Sequence, residues 1–544
     1  MAGGKSSALP WEISVSLASS SSYRATGGNG GGEVSRGHSS RTVRQRAESL
    51  GQGAVRTDSM DAIRQQDRGW QLSLFEGESQ TSHPGATSNG GTETGATEVP
   101  LVSTAWERER ALTQNLMEEV AAPDNLNQAL KRVVANKGAP GIDGMTVAEL
   151  EDWLGASRKQ LTESLLVGDY RPGPVRRVEI PKPGGGMREL GIPTVKDRLV
   201  QQAMLQVLTP VLDPLFSESS FGFRPGRSAH DALRQAAEYV ADLRNIVVDL
   251  DIEQFFDWVN HDMLMARLAR HVGDKRLLKI VRAFLNAGIM TNGVCVRTHE
   301  GTPQGGPLSP LLANLMLDDL DKELERRGHR FCRYADDVNI YVRSQAAGER
   351  VMASVARFIE KRLKLKVSAS KSAVAPTDKR SFLGYRILWD GRLTIAPKSL
   401  KRAKDRIRKI TRRNRGMSFE RMIGELNRFL TGWVVYFRHA HAKSALARMD
   451  GWTRRKLRCM RLKQRKRPKA IADFLMREGV PEWRAWLLAC SGKGWWRMSG
   501  SPQANEAMTI AWFKDQGLVN LAERYEALKA KGNRRGTENV CPVV

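Results

Sequence analysis

The sequence predicts an α+β chain in two parts, a mixed strand and helix region to about residue 390 followed by an all-helical region, and three observations carry this. Short β-branched runs alternate irregularly with stretches of helical spacing: RRVEIP at 176–181, NIVVDLD at 245–251 and RFCRYADDVNIYV at 330–342. After Leu400 strand-like runs cease, and Phe419, Met422, Ile423, Leu426, Leu430, Trp433 and Phe437 form one apolar stripe with basic residues around it, as a helix of a bundle would. The charge divides at the same place. Residues 401–470 hold 24 Lys or Arg against four acidic residues, so +20 of the formal +27 lies in this segment.

Taken in order, residues 1–100 are rich in Gly, Ser and Thr, too poor in apolar side chains to offset the entropy of ordering, and are expected to be disordered. An apolar island, WQLSLFEG at 70–77, interrupts them, and order is expected from near Trp106. A helix is predicted with Asp124 as its N-cap and Leu126, Ala129, Leu130, Val133 and Val134 on one face, ending at the glycine-rich turn GAPGIDG at 138–144. The predicted boundaries are 1–100, 101–244, 245–390, 391–480 and 481–544. No repeat with a period of 20 to 50 residues is present.

Composition narrows the partners. A pI near 10.2 with localised positive charge answers a polyanion, because twenty unbalanced charges in 70 residues repel one another unless neutralised. Five scattered cysteines, without a Cys-x-x-Cys pair or matching histidines, indicate neither a disulfide framework nor a zinc site. No run approaches about 18 uninterrupted apolar residues, and no signal pattern opens the chain. Nucleic acid is therefore the expected partner, not a membrane, and a reducing cytoplasm the expected location.

The chemistry-bearing candidates are carboxylates. In RFCRYADDVNIYV two strand-like runs flank Ala335-Asp336-Asp337, and Val338, Ile340 and Val342 alternate with Asp337, Asn339 and Tyr341, as in a hairpin with one buried face. Adjacent aspartates repel each other, so a tight turn that carries them gains from a hard cation. In NIVVDLDIEQFFD at 245–257 a buried-type strand runs into Asp249 and Asp251. Neither segment is decisive alone. Together they offer carboxylates from neighbouring strands, as two-metal phosphoryl transfer needs: two Mg2+ ions about 4 Å apart, one activating a 3′-hydroxyl and one steadying the leaving pyrophosphate.

Eight blocks then fall in one order: GAPGIDG at 138, YRPGPVRRVEIPKPGGGMRELGIPTVKDR at 170–198, SSFGFRPGRSAHDA at 219–232, DLDIEQFFDWVNHDML at 249–264, GTPQGGPLSPLLAN at 301–314, YADD at 334, LKLKVSASKS at 363–372 and FLGY at 382–385. This order resembles the reverse transcriptases encoded by group II introns, with closest similarity to the bacterial, endonuclease-lacking kind of the group IIC type. The resemblance runs from about Asn125 to Tyr525, roughly three quarters of the chain. It implies a right-hand polymerase, with an N-terminal extension and fingers at 101–244, palm at 245–390, a helical thumb and maturase domain at 391–480 and a short DNA-binding tail at 481–544.

Carried over position by position, the resemblance makes Asp251 and Asp336 the principal metal ligands, with Asp337 completing the triad and the Ile252 carbonyl a further ligand. Phe256 matches the aromatic gate that crowds a ribose 2′-hydroxyl, while its neighbour Phe255 is expected in the core on the opposite strand face. Lys182 and Arg188 flank Pro183-Gly184-Gly185-Gly186, a fingertip hairpin whose cations would bind the triphosphate. Gln304 matches a residue that positions the nucleotide beside the template, and Ser309-Pro310 is expected to cap and open a helix. Lys371 matches a proton donor to pyrophosphate, a role that simple phosphate neutralisation explains equally.

The implied cofactor is Mg2+, with Mn2+ as a substitute. The implied partners are the group II intron RNA, an RNA template with a DNA primer, dNTPs and target DNA. The sequence assigns no oligomeric state. The basic region, with LTGWVVYF at 430–437 and GWTRRKLR at 451–458, resembles the thumb and maturase domain, and Trp433, Trp452 and Tyr436 are expected in its core. Segment 493–525 resembles the DNA-binding tail. The His-Asn-His endonuclease extension with its paired cysteines is not found, so second-strand cleavage is not expected. Two alternatives stay open at this point: the reverse transcriptase of a retron or diversity-generating element, and a splicing-only maturase without polymerase activity.

Overall fold

The computed structural model describes residues 113–181, 187–291, 294–296, 301 and 305–537. The expected disorder of 1–100, the island at 70–77 and the onset of order near Trp106 lie outside them.

Helices α1 (Leu116–Ala121), α2 (Pro123–Ala135) and α3 (Leu150–Val167) open the described chain. The predicted cap of α2 moves by two residues: Ala122 is the N-cap, Pro123 opens the first turn and Asp124 lies inside it. Proline's fixed φ suits that position, and Asp124 favours the helix by its charge near the positive end of the dipole. Strands β1 (Val175–Pro181) and β2 (Met187–Ile192) form an antiparallel hairpin. β1 also pairs parallel to β4 (Ile289–Thr291), which pairs with β5 (Val294–Val296), giving a sheet of order β2-β1-β4-β5. Between them α4 (Val195–Leu212) is capped by Thr194, whose hydroxyl accepts from the Asp197 amide at 3.1 Å, and thirteen of its residues are buried.

The second sheet holds the carboxylates. Its strands are β6 (Arg330–Tyr334), β7 (Asp337–Val342), β3 (Ile246–Asp251) and β8 (Ala373–Pro376) in the order β6-β7-β3-β8, antiparallel throughout. The one-sided burial predicted for β7 is corrected: Val338, Asn339, Ile340 and Tyr341 are all buried. Both faces are covered. Val248, Leu250, Val338 and Ile340 face a core shared with α8 (Ser309–Arg326) and α9 (Gln345–Phe358). Val247, Cys332 and Tyr341 face a second core shared with α5 (Ala229–Ala241) and the C-terminal helices. Between β3 and β4 lie α6 (His261–His271) and α7 (Lys275–Leu285). Helix α8 starts at Ser309 with Leu308 as its N-cap, so the cap expected at Ser309 stands one residue earlier.

After the two-stranded β9 (Tyr385–Ile387) and β10 (Leu393–Ile395), the described chain is helical. The helices are α10 (Pro397–Ile410), α11 (Phe419–Tyr436), α12 (Lys443–Arg465), α13 (Pro468–Arg477), α14 (Glu482–Ala489), α15 (Trp495–Met498), α16 (Pro502–Ala507), α17 (Ile510–Asp515) and α18 (Leu521–Thr537). The stripe on α11 packs inward at Phe419, Met422, Ile423, Leu426 and Leu430, and Trp433 lies half-buried with its ring 4.7 Å from that of Phe437. Tyr436 is half-buried and its hydroxyl donates to the Leu383 carbonyl at 2.8 Å. Trp452 is half-buried too, with the cations of Arg408 and Lys456 over its ring.

The segments beyond α13 are pinned to α12 and to the turn between α11 and α12 by buried polar bonds. Asp450 accepts from the amides of Leu521 and Ala522, each at 3.0 Å, and so caps α18. Arg458 donates twice to the Met508 carbonyl, and Tyr525 donates to the Ala440 carbonyl at 2.6 Å. The overall class is α+β with a helical C-terminal region, as the alternating runs predict. Cys332 and Cys459 are buried free thiols and Cys490 an exposed one. Among the described residues no helix is long and apolar enough to cross a membrane.

Candidate active site

Strand alternation places Asp249 and Asp251 on one face of β3, and register sets them opposite Asn339 and Asp337 of β7. Asp251↔Asp337 is the last pair of that ladder, and Tyr334↔Asp337 the last of the β6–β7 ladder, so Asp336 sits in the connecting turn. Ala335 takes a positive φ of 58°, which closes the turn within two residues. Asp251, Asp336 and Asp337 are thus brought to one end of the sheet.

This turn is fixed from beneath by a residue that sequence reasoning missed. Arg333, fully buried, donates to both carboxylate oxygens of Asp321 at 2.5–3.0 Å, to Asn314 Oδ1 at 2.9 Å, to Ser220 Oγ at 2.7 Å and to the Ala335 carbonyl at 3.0 Å. Burial raises the Asp321 carboxyl above its ordinary range, while the Arg333 guanidinium pulls it back down. Asn314 in turn donates to the Gly222 carbonyl at 2.8 Å. Gly222 belongs there because a Cβ would meet the Ala335 amide nitrogen at 2.2 Å, so its backbone can lie against the turn only without a side chain.

The loop 364–372 flanks the other side of β3. Ile252 bridges Val367; Glu253 N donates to the Lys366 carbonyl at 2.8 Å and Ser368 N to the Asp251 carbonyl at 2.9 Å, and neither bond uses the Ile252 carbonyl. The Asp251 amide donates to Ser372 Oγ at 3.0 Å, and Lys371 Nζ donates to Asp251 Oδ1 at 2.9 Å. Arg380, also missed from sequence, donates to Asp249 Oδ2 at 2.5 and 2.9 Å and to the Lys371 carbonyl at 2.8 Å. Nothing in its local sequence sets Arg380 apart from the basic residues around it.

The two phenylalanines do not alternate on a strand. Gln254 turns the chain with a φ of 46°, and Phe255–Asp257 form a 3-10 turn that buries Phe255 and leaves Phe256 half-buried, the rings edge-on at 5.2 Å. Phe255 takes the expected core position by a different backbone route, and Phe256 packs partly buried against the same core. Gly301 packs against the Phe256 and Asp257 carbonyls and is held by His261, whose Nε2 lies 2.6 Å from the Gly301 carbonyl oxygen. Gly305, past the next three residues, lies against the Gly191 carbonyl of β2, where a Cβ would meet that oxygen at 2.4 Å. Gln304 and Lys182 fall outside the described residues. Arg188 lies on β2 opposite Ile180, next to the hairpin tip.

Carboxylate crowding is strong at this strand end. Burial, then the charges of Asp336, Asp249 and Asp251, hold the Asp337 carboxyl well above its ordinary range, with Lys371 opposing. Burial likewise raises Asp249 against the pull of Arg380. Among the described residues no three His, Cys, Asp or Glu side chains converge as a ready metal cluster, and Asp251 is engaged by the Lys371 ammonium. The donor set nonetheless fits a hard divalent cation: oxygen ligands only, with surplus negative charge that a cation relieves.

The match to known proteins agrees with this geometry. The reverse transcriptase (RNA-dependent DNA polymerase) family matches residues 180–387, and the group II intron, maturase-specific domain matches residues 400–479. Protein YkfC of Escherichia coli (strain K12) is 32% identical over 316 residues, covering 51% of this chain and 83% of YkfC. The chain belongs to the group II intron reverse transcriptase and maturase family. The group II intron-encoded protein LtrA of Lactococcus lactis subsp. cremoris is 38% identical over 201 residues, covering 37% of this chain and 33% of LtrA, so the match spans a third of that relative. A solved partial Cas6-RT-Cas1–Cas2 complex contains a chain that is 26% identical, with 46% of this chain and 43% of that one covered at a TM-score of 0.31. As a member of this family the chain is an RNA-directed DNA polymerase with a maturase domain, and the reaction class is metal-dependent nucleotidyl transfer.

Proposed function

We propose that this reverse transcriptase copies an RNA template from a DNA primer at the Asp251, Asp336 and Asp337 end of the sheet, and that its basic helices bind the parent group II intron RNA. The observation that carries the first part is the Asp251↔Asp337 register beside the Asp336 turn. Asp251, Asp336 and Asp337, with the Ile252 carbonyl, would hold two Mg2+ ions, or Mn2+ in their place. Bound there, the ions supply activation of the primer 3′-hydroxyl and charge neutralisation at the leaving pyrophosphate.

The chain's own groups do the rest. Phe256 crowds the sugar and selects dNTPs. Lys182 and Arg188 bind triphosphate oxygens, Gln304 positions the base beside the template, and Lys371 serves the pyrophosphate side. We read 101–244 as fingers with an N-terminal extension, 245–390 as palm, 391–480 as thumb and maturase domain, and 481–544 as a tail for target DNA. The charge of +20 over residues 401–470 supports intron RNA as the partner of the helical part. Binding that favours the active RNA fold would assist splicing and reverse splicing by mass action. A bacterial cytoplasmic setting completes this reading.

The experiment is primer extension on an RNA template with dNTPs and Mg2+, comparing the wild type with Asp251→Asn. Loss of extension by a factor of about 1,000 or more is expected, since the substitution removes a charged ligand from transition-state stabilisation. Extension within about tenfold of wild type contradicts the site assignment.

A further inference from the structure

Lys371 is held unequally along its length. Its backbone is fixed from two sides: its amide donates to the Ser368 carbonyl at 3.2 Å, and its carbonyl accepts from Arg380 Nη2 at 2.8 Å. Arg380 is itself anchored by two bonds to Asp249, and the next residue, Ser372, accepts from the Asp251 amide at 3.0 Å. Among the described residues the ammonium group is anchored only by Asp251 Oδ1, 2.9 Å away, and the lysine side chain is 40% exposed where that of Asp251 is 11% exposed. A long, flexible and half-exposed side chain on a rigid backbone can leave its partner at small cost.

The oxygen it occupies belongs to a carboxylate proposed to hold a divalent ion. An ammonium at 2.9 Å from Oδ1 and a divalent cation bound directly to the same oxygen compete for one position. Four carboxylates, Asp249, Asp251, Asp336 and Asp337, share this strand end; Arg380 pairs with the first and Lys371 with the second.

We propose that Lys371 is a tethered resident cation of Asp251, displaced when a divalent ion binds, and that Arg380 is the positioning residue that holds the Lys371 backbone through the exchange. This rests on reading Asp251 as a metal ligand. The tethered cation keeps the carboxylate cluster partly neutral between catalytic cycles, and its release delivers a mobile ammonium beside the site only once the ion is in place. Metal binding and lysine availability are thereby coupled in one exchange.

The test is equilibrium Mn2+ binding to the full-length protein without nucleic acid or nucleotide, read from the signal of free Mn2+. Wild type, Lys371→Met and the double variant Lys371→Met, Asp251→Asn are compared, with thermal unfolding as the check on folding. Lys371→Met is expected to bind Mn2+ about 3 to 10 times more tightly, because a competing charge is removed, and the double variant to lose that gain. Unchanged or weaker binding by Lys371→Met overturns the proposal while wild-type binding keeps the metal reading. Absence of Mn2+ binding by both wild type and Lys371→Met overturns the metal reading and this proposal with it. For Arg380, a double-mutant cycle separates tether from charge. Arg380→Gln should tighten Mn2+ binding in the wild type and have a much smaller effect in Lys371→Met. An undiminished effect there means that Arg380 acts through Asp249 alone and overturns its positioning role.

Discussion

Arg333 and Asp321 form a fully buried ion pair beneath the aspartate turn, and the guanidinium fills every side of its pocket with a bond. Removing one partner of such a pair leaves a buried charge unpaired, at a cost of roughly 3–5 kcal/mol. Asp321→Ala is therefore expected to lower the urea midpoint strongly and to reduce polymerase activity, although Asp321 touches no proposed substrate; a shift below about 1 kcal/mol contradicts the assigned role. The same residues show what sequence could and could not tell. Asp251 and Asp336 were legible because two local strand patterns each delivered a carboxylate. Arg333 reads as one more polar residue of RFCRYADD, and its significance depends on Ser220, 113 positions away. Gly222 was legible only as part of a motif; its reason, the 2.2 Å approach to the Ala335 amide, is a tertiary fact.

Among elements, the docking of the last helices onto α12 depends on buried polar pins. Asp450→Ala would leave the Leu521 and Ala522 amides without their carboxylate, costing about 1–2 kcal/mol by the usual worth of a helix cap. The expected outcome is earlier exposure of α18 in hydrogen exchange, with polymerase activity little changed; exchange identical to wild type contradicts the cap. A second seam joins α5 to the turn after α11. The His230 ring lies 4.7 Å from that of His439, and His230 Nε2 sits 2.7 Å from the Tyr436 carbonyl oxygen. Partial burial, then the charges of His230, Arg438 and Arg234, lower the pKa of the solvent-exposed His439 to about 4, with Asp231 opposing. Burial also lowers His230, with the Tyr436 carbonyl opposing.

The sign follows from which state binds the proton. An unfolded histidine protonates near pH 6.5, but folded His439 does so only near 4, so protons favour the unfolded chain across that window. Stability from this seam is present above pH 6.5 and is lost as pH falls toward 4. His439→Gln should lose less thermal stability than wild type between pH 7.5 and pH 5; equal losses contradict the account. The helical elements of this region were legible from the α11 stripe. The start of α2 was off because Pro123 fixes the first turn ahead of Asp124, and the one-faced reading of β7 failed because Asn339 is buried and Tyr341 packs into the second core.

At the scale of the whole molecule, one sheet divides two cores and carries the carboxylates at its end, while the second core runs on into the helices that bear most of the positive charge. In the proposed reading, copying and RNA binding share a framework but rest on different side chains. The α+β division was legible because strand periodicity and charge change at the same point in the sequence. The way the second core ties α5 to the C-terminal helices was not, since it is built from contacts among residues as distant as Leu233 and Tyr525.

The most direct measurement is made on Asp336→Ala, with dNTP incorporation on an RNA template and assisted splicing of the parent intron RNA assayed on one preparation. The account predicts that incorporation disappears while intron binding and splicing assistance stay within about twofold of wild type, a change under roughly 0.5 kcal/mol. Retained incorporation, or a loss of splicing in step with incorporation, would contradict it.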